Sequence, residues 1–416
     1  MKGVEIEPRI LGRVLQRLPE VLFYIACFLW LTVTVTDVSM VNKWMAEGPL
    51  TDAFVIHRVP LLLGAAEIIR IWRGEYGRRD ALGLAFCMFM GYGAWLLGWH
   101  DCLCGISLVF CARNLNIRKL CAVSVAYVSF LAAVIIVLSQ MGIVRDFVLE
   151  QSRGDRHCLG FTYCLYPGQY LFTLTLVVCW LRGKALRIWE AVALAIANVW
   201  MYVLTISRLS FGLALLAILF TLLYKWDVHQ KLPWQRISRV LRWAFPAMVV
   251  ITIVTTAAYM LGGTTFFPDF INRIDDGRVR LQANGIRVFG LPLLSQNVTF
   301  VGASVGVDGP SEGPIHGYNF VDNLFVHAGI RYGLLFTGGF TVLYTFASLD
   351  AHRQKDTLLV AMLALLACHC LFDNLALWIH HNVMVFVLAT VGGDNSVIWS
   401  LGSLIAKLLR GKKYVA

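Results

Sequence analysis

The sequence predicts an all-α polytopic membrane protein, a bundle of about twelve transmembrane helices. Three observations carry this. Apolar residues make up 58% of the 416 residues and charged ones 15%, against roughly 25% charged in ordinary soluble domains. Mean hydropathy is +0.68. The apolar runs are also continuous, approaching the roughly 20 residues that cross a bilayer as a helix rather than the alternating ten-residue segments of a membrane β-barrel.

In chain order the expected spans lie at 20–39, 53–70, 80–98, 102–112, 120–142, 158–181, 188–206, 208–224, 244–261, 322–349, 357–374 and 378–395. The second is weakened by His57, Arg58, Pro60 and Glu67, and the fourth is short enough to be re-entrant. Residues 396–409 have the pattern of an amphipathic surface helix. The whole chain, 1–416, reads as a single integral membrane domain, and residues 262–321 form a large external loop between the ninth and tenth spans. The apolar run from Val21 is long enough to be retained as a span, so no cleavable signal is expected.

Threading the spans back and forth puts 25 of the 36 basic residues on alternate loops of one side. By the positive-inside rule that side is cytoplasmic, and both termini face it. The net charge of +11 is therefore a topology signal and not a nucleic-acid footprint. The eleven basic residues left on the other side are Lys43 and ten arginines: Arg58, Arg145, Arg153, Arg156, Arg208, Arg273, Arg278, Arg280, Arg287 and Arg331. Guanidinium grips phosphate in a planar fork, where lysine is a hydrated point charge, so this bias points to phosphate binding outside. The competing explanation is solvated arginines paired with Asp146, Glu150, Asp155, Asp269, Asp275 and Asp276.

Arg208, in TISRLSFG, lies at the tip of a hairpin with almost no loop, so its charge either faces a cavity or snorkels to the headgroups. Arg156 and His157 stand at the outer edge of the sixth span, where Pro167, Gly168 and Gln169 break the apolar pattern. Arg273, Arg280 and Arg287 are seven apart, a helical stripe suited to a diphosphate, although Gly277 and Gly285 weaken the helix. The alternative is a looped arrangement with Arg278 pointing inward. Asn323, His327 and Arg331 are four apart and share one face of the tenth span as candidate substrate-binding residues. Asp322 beside them is the best-placed carboxylate to take a proton from a hydroxyl, and is equally suited to cap a helix. His316 is a second candidate base. Asp373, Asn374, His380, His381 and Asn382 lie on the same outer side. The eleven cysteines, mostly within apolar runs, read as buried thiols. There is no zinc spacing and no Walker A pattern, and neither a metal nor a cofactor is called for.

Five segments taken together resemble the Wzy-type polysaccharide polymerases of O-antigen, capsule and exopolysaccharide synthesis, relatives of the O-antigen ligases. They are ARNLNIRK (112–119), RHCLGF (156–161), SRLSF (207–211), NRIDDGRVRLQANGIRVFG (272–290) and VDNLFVHAGIRYGLLF (321–336). The resemblance covers about 110–395 and rests on the order of the set, since no single motif is decisive. It implies a GT-C-like glycosyltransferase of the bacterial cytoplasmic membrane. Such enzymes transfer a growing glycan from undecaprenyl diphosphate to a lipid-linked repeat unit on the outer side, alongside a flippase and a chain-length regulator. It matches Arg156, Arg208 and Arg278 to the family's arginines and Asp322 and Asn323 to its Asp-Asn pair. Asp373 stands where the family carries a late glutamate, and Tyr163, Pro167 and Gln169 depart from the family's turn. The rival expectations are a glycan ligase and a flippase for the same lipid-linked oligosaccharide.

Overall fold

A computed structural model describes residues 8–42, 52–97, 100–150, 154–227, 231–262, 277–302 and 317–391, and these are mostly helical. The helices are α1 (Pro8–Asp37), α2 (Asp52–Trp72), α3 (Arg78–Leu96), α4 (His100–Cys111), α5 (Ile117–Gln140), α6 (Tyr166–Arg182), α7 (Ile188–Thr205) and α8 (Arg208–Trp226). They continue with α9 (Trp234–Leu241), α10 (Ala244–Gly262), α11 (Arg278–Phe289), α12 (Leu324–Arg331), α13 (Leu334–Arg353) and α14 (Thr357–Cys370). A two-stranded hairpin, β1 (Val148–Leu149) and β2 (Arg156–His157), joins α5 to α6.

Six helices among the described residues are long and apolar enough to cross a membrane: Arg17–Asp37, Ile117–Gln140, Ile188–Thr205, Arg208–Trp226, Ala244–Gly262 and Leu334–Arg353. Several turn their apolar residues outward. In α7, Ile188, Trp189, Val192, Ile196, Val199, Trp200 and Val203 are all exposed, a surface that only lipid or a partner would cover. The centre is built oppositely. The 14-residue α14 is buried on almost every side, as a helix apolar all round must be.

Three expected spans differ from the sequence reading. The sixth, expected from 158, is helical only from Tyr166, and residues 158–165 form an irregular link. The expected span 378–395 is described to residue 391 and is not an α-helix there: Val383–Thr390 is a 3₁₀ run, buried from Val383 to Leu388, with Phe386 against Phe23 and the Val383 carbonyl facing Cys121. Its unbroken hydrophobicity reflects enclosure by protein, a setting in which irregular backbone is tolerated because other segments cover it. The stretch 322–349 is broken into α12 and α13 at Gly333, where φ is +89°. A Cβ there would lie 2.5 Å from the Leu294 carbonyl carbon, so the 293–294 strap crosses the chain where a continuous helix would run.

The two ends of the bundle carry different chemistry. Residues 113–119, 182–187, 231–242 and 353–355, rich in lysine and arginine, gather at one end: Asp356 meets both Arg118 and Trp180, and Ser238 meets His352. α5, α6, α8, α13 and α14 all run between this basic end and the opposite one, where β1–β2, α11 and α12 lie. Residues 396–409 and both termini lie outside the described residues.

Candidate active site

At the end opposite the basic loops, five segments converge. α11 starts at Gly277, whose φ of +84° is the left-handed conformation glycine adopts without cost. Close packing also explains Gly285: a Cβ there would meet Val321 at 2.8 Å and Ile330 at 3.1 Å, so glycine lets α11 lie flat on α12. The glycines that weaken the helix in the sequence are thus what seat it.

Arg278, in the first turn of α11, donates from Nε to Asp322 Oδ2 at 2.9 Å. Asp322 does not cap α12. That role falls to Asn323, whose Oδ1 accepts the Val326 N–H at 3.1 Å while its amide donates to Thr252 Oγ1 and to the Leu371 carbonyl. Asn323, 1% exposed, therefore pins α12 to α10 and to the end of α14. His327 is equally enclosed, stacked on Phe300 at 4.5 Å and within 2.9 Å of the Asn374 amide. Both candidate substrate contacts are thus buried and bonded within the bundle. Arg331 is partly buried beside Tyr332.

The pinning brings a second carboxylate alongside. Asp373 follows α14 by three residues and accepts the Leu375 N–H at 2.9 Å. The sequence contains Asp-Asn-Leu twice, at 322–324 and 373–375, and the fold turns the two copies toward each other through Asn323 to Leu371 and Asn374 to His327. That repeat is the signal by which Asp373 was findable as an equal of Asp322.

Burial raises the Asp322 pKa, and the attraction of Arg278 offsets only part of this. Asp373 is pushed up to about 7, mainly by burial and further by the charge of Asp322, with its backbone hydrogen bonds and Arg278 opposing. Burial alone would lower the Arg278 pKa, but Asp322 outweighs it and the net shift is upward. Tyr163 is raised by burial and then by both carboxylates, which places its phenol in the same cluster. One guanidinium thus faces two carboxyls, and one of them is poised to exchange a proton near neutrality.

Arg156 flanks this group from β2. Its Nε donates to the Thr205 carbonyl at 3.0 Å, just before the α7–α8 turn. Gly168 lets α6 pack against that turn, since a Cβ there would lie 2.9 Å from Ser207 Cβ. Arg208 opens α8 on the far side of the turn, exposed, with no ion-pair partner among the described residues. Arg280 and Arg287 are exposed on one face of α11. His316 and Arg273 lie outside the described residues. No group of three or more histidine, cysteine or acidic side chains suited to a metal ion occurs among the described residues.

No family model, curated protein or solved structure matches this chain.

Proposed function

We propose that this protein is a membrane glycosyltransferase of the polysaccharide-polymerase type, joining lipid-linked glycans at the end of the bundle that carries Arg278 and Asp322. The observation that carries the reading is the Arg278–Asp322–Asp373 cluster, flanked by Arg156 and Tyr163, at the end opposite the basic loops. By the positive-inside rule that end would be the outer one, and the bacterial cytoplasmic membrane is what the resemblance to the polymerases implies. The finer architecture, about twelve spans in a GT-C-like arrangement, belongs to the same proposal. Shorter apolar helices such as Thr357–Cys370 would supply the spans beyond the six long ones.

In the proposed reaction the undecaprenyl diphosphate of the donor lies against the outer arginines. Arg208, Arg280 and Arg287 are exposed to meet it, and Arg156 and Arg278 stand deeper. The acceptor hydroxyl of the incoming repeat unit gives its proton to Asp322 or Asp373 and attacks the anomeric carbon. The bond from that carbon to the diphosphate breaks, and the arginines hold the charge that develops on the leaving group. Such clamping needs neither a nucleotide nor a metal. Surface glycan from a deletion strain, resolved on a gel, tests the reading: single repeat units are expected. Long glycan retained on its lipid carrier would indicate a ligase instead, and lipid-linked units trapped inside would indicate a flippase.

A further inference from the structure

Among the eleven cysteines, Cys158 and Cys164 stand apart. The other nine lie on helices, Cys27 on α1 through Cys370 on α14, whereas these two flank the link from β2 to α6 at the site end of the bundle. Their Sγ atoms are 3.0 Å apart, both side chains are buried, and they pack in a small cluster with Met40, Val144 and Phe147. A disulfide of about 2.05 Å needs only a small side-chain rotation from there.

The backbone between them is costly. Leu159 (φ +51°) and Gly160 (φ +82°) are consecutive left-handed residues, a conformation that a leucine seldom adopts. Gly160 is wedged against Ile135 and Ser139 of α5, and its carbonyl accepts the Met40 N–H at 2.9 Å. This held loop sets the positions of Arg156 on one side and Tyr163 on the other. A covalent tie would offset the strain and fix both.

We infer that Cys158 and Cys164 form an intramolecular disulfide that fixes the rim of the site. The inference rests on the outward orientation in the proposed function, because disulfides persist in oxidising compartments and not in the cytosol. The two thiols lose two protons and two electrons to the disulfide of an extracytoplasmic thiol–disulfide oxidoreductase. Exchange runs through a mixed disulfide, a Cys158–Cys164 sulfur–sulfur bond forms, and the oxidant leaves as a dithiol.

The test uses the full chain in its native membrane. Cells are quenched in acid, free thiols are blocked with N-ethylmaleimide in denaturant, and the protein is then reduced, labelled with iodoacetamide and read by mass spectrometry. The nine helical cysteines are expected to carry the first label and residues 158 and 164 the second. In Cys158→Ser, residue 164 is expected to move to the first label. An epitope inserted at Gly154 reports orientation separately. The first label on both residues with the epitope outside would overturn the disulfide and leave the orientation standing. The same label with the epitope inside would overturn both.

Discussion

Glu67 and Asp322 are both carboxylates held against arginine near the ends of one helical bundle, yet they are built in opposite ways. Glu67, in a span that its charge seemed to weaken, is saturated. Arg70 donates to Oε1 at 2.5 Å, Arg113 donates to both oxygens, and the Tyr76 hydroxyl donates to Oε2. Arg113 reaches on to Asp80 at 2.7 Å and lies 4.0 Å over the Phe110 ring, while Arg70 also donates to the Cys111 carbonyl. Every formal charge has its partner, and the network ties α2, α3 and α4 together. At the other end Asp322 is bonded, among the described residues, by Arg278 alone, and a second carboxyl, Asp373, lies within reach of that guanidinium's charge without bonding to it. A closed network locks structure, whereas an open one leaves charge to answer a ligand.

If the open end does the chemistry, its variants should cost activity and leave the fold intact. Asp322→Asn is expected to lower polymer synthesis by about 10²–10⁴, the usual loss on removing a catalytic base, with normal amounts of protein in the membrane. Polymer per molecule of folded protein is the quantity to measure.

Asp373 sharpens the comparison through pH. As a base with a pKa of about 7, it is expected to make the wild-type rate rise as pH increases through that value, and Asp373→Asn should flatten the limb. The stability effect has the opposite sign. Its folded pKa lies above the ordinary 3.8, so its contribution is fully present below about pH 4 and is lost as pH rises toward 7. Thermal unfolding in detergent should show Asp373→Asn gaining on wild type at pH 8, by on the order of 4 kcal/mol.

The closed end predicts the converse. Glu67→Ala leaves Arg70 without a carboxylate and Arg113 with Asp80 alone, and breaking such a buried network typically costs about 3–5 kcal/mol. Its melting temperature and yield should fall, while polymer per folded molecule stays near normal. The smallest effect is expected at Arg287, exposed on α11, where Arg287→Ala should weaken use of the lipid-linked donor only a few-fold, read as KM with kcat preserved.

Much of this division was legible in the sequence, because apolar runs and charge placement are local. The helical membrane class, the basic end and the candidate Asp322 follow from composition and spacing, whereas Arg278 is singled out by the five-segment resemblance. What escaped depends on contacts between distant segments. The hydropathy of 378–395 is the same whether lipid or protein covers it, and only the fold makes it a buried 3₁₀ run. The break at Gly333 lies where Leu293 and Leu294 cross, about forty residues upstream of it and beyond what a local pattern can sense. Asn323 and His327 share a helical spacing with Arg331, but Leu371 and Asn374 decide that they pack. Glu67 reads locally as a flaw in a span, and only the fold brings Arg113 to it from the turn that follows α4.

The most direct measurement compares Arg278→Ala with Glu67→Gln in purified form. Both are supplied with repeat units on an undecaprenyl diphosphate carrier, and the products are sized on a gel after normalising to folded protein. The expected result is single repeat units only from Arg278→Ala and a full ladder from Glu67→Gln. A normal ladder from correctly folded Arg278→Ala would contradict the claim that this arginine stands at the point of sugar transfer.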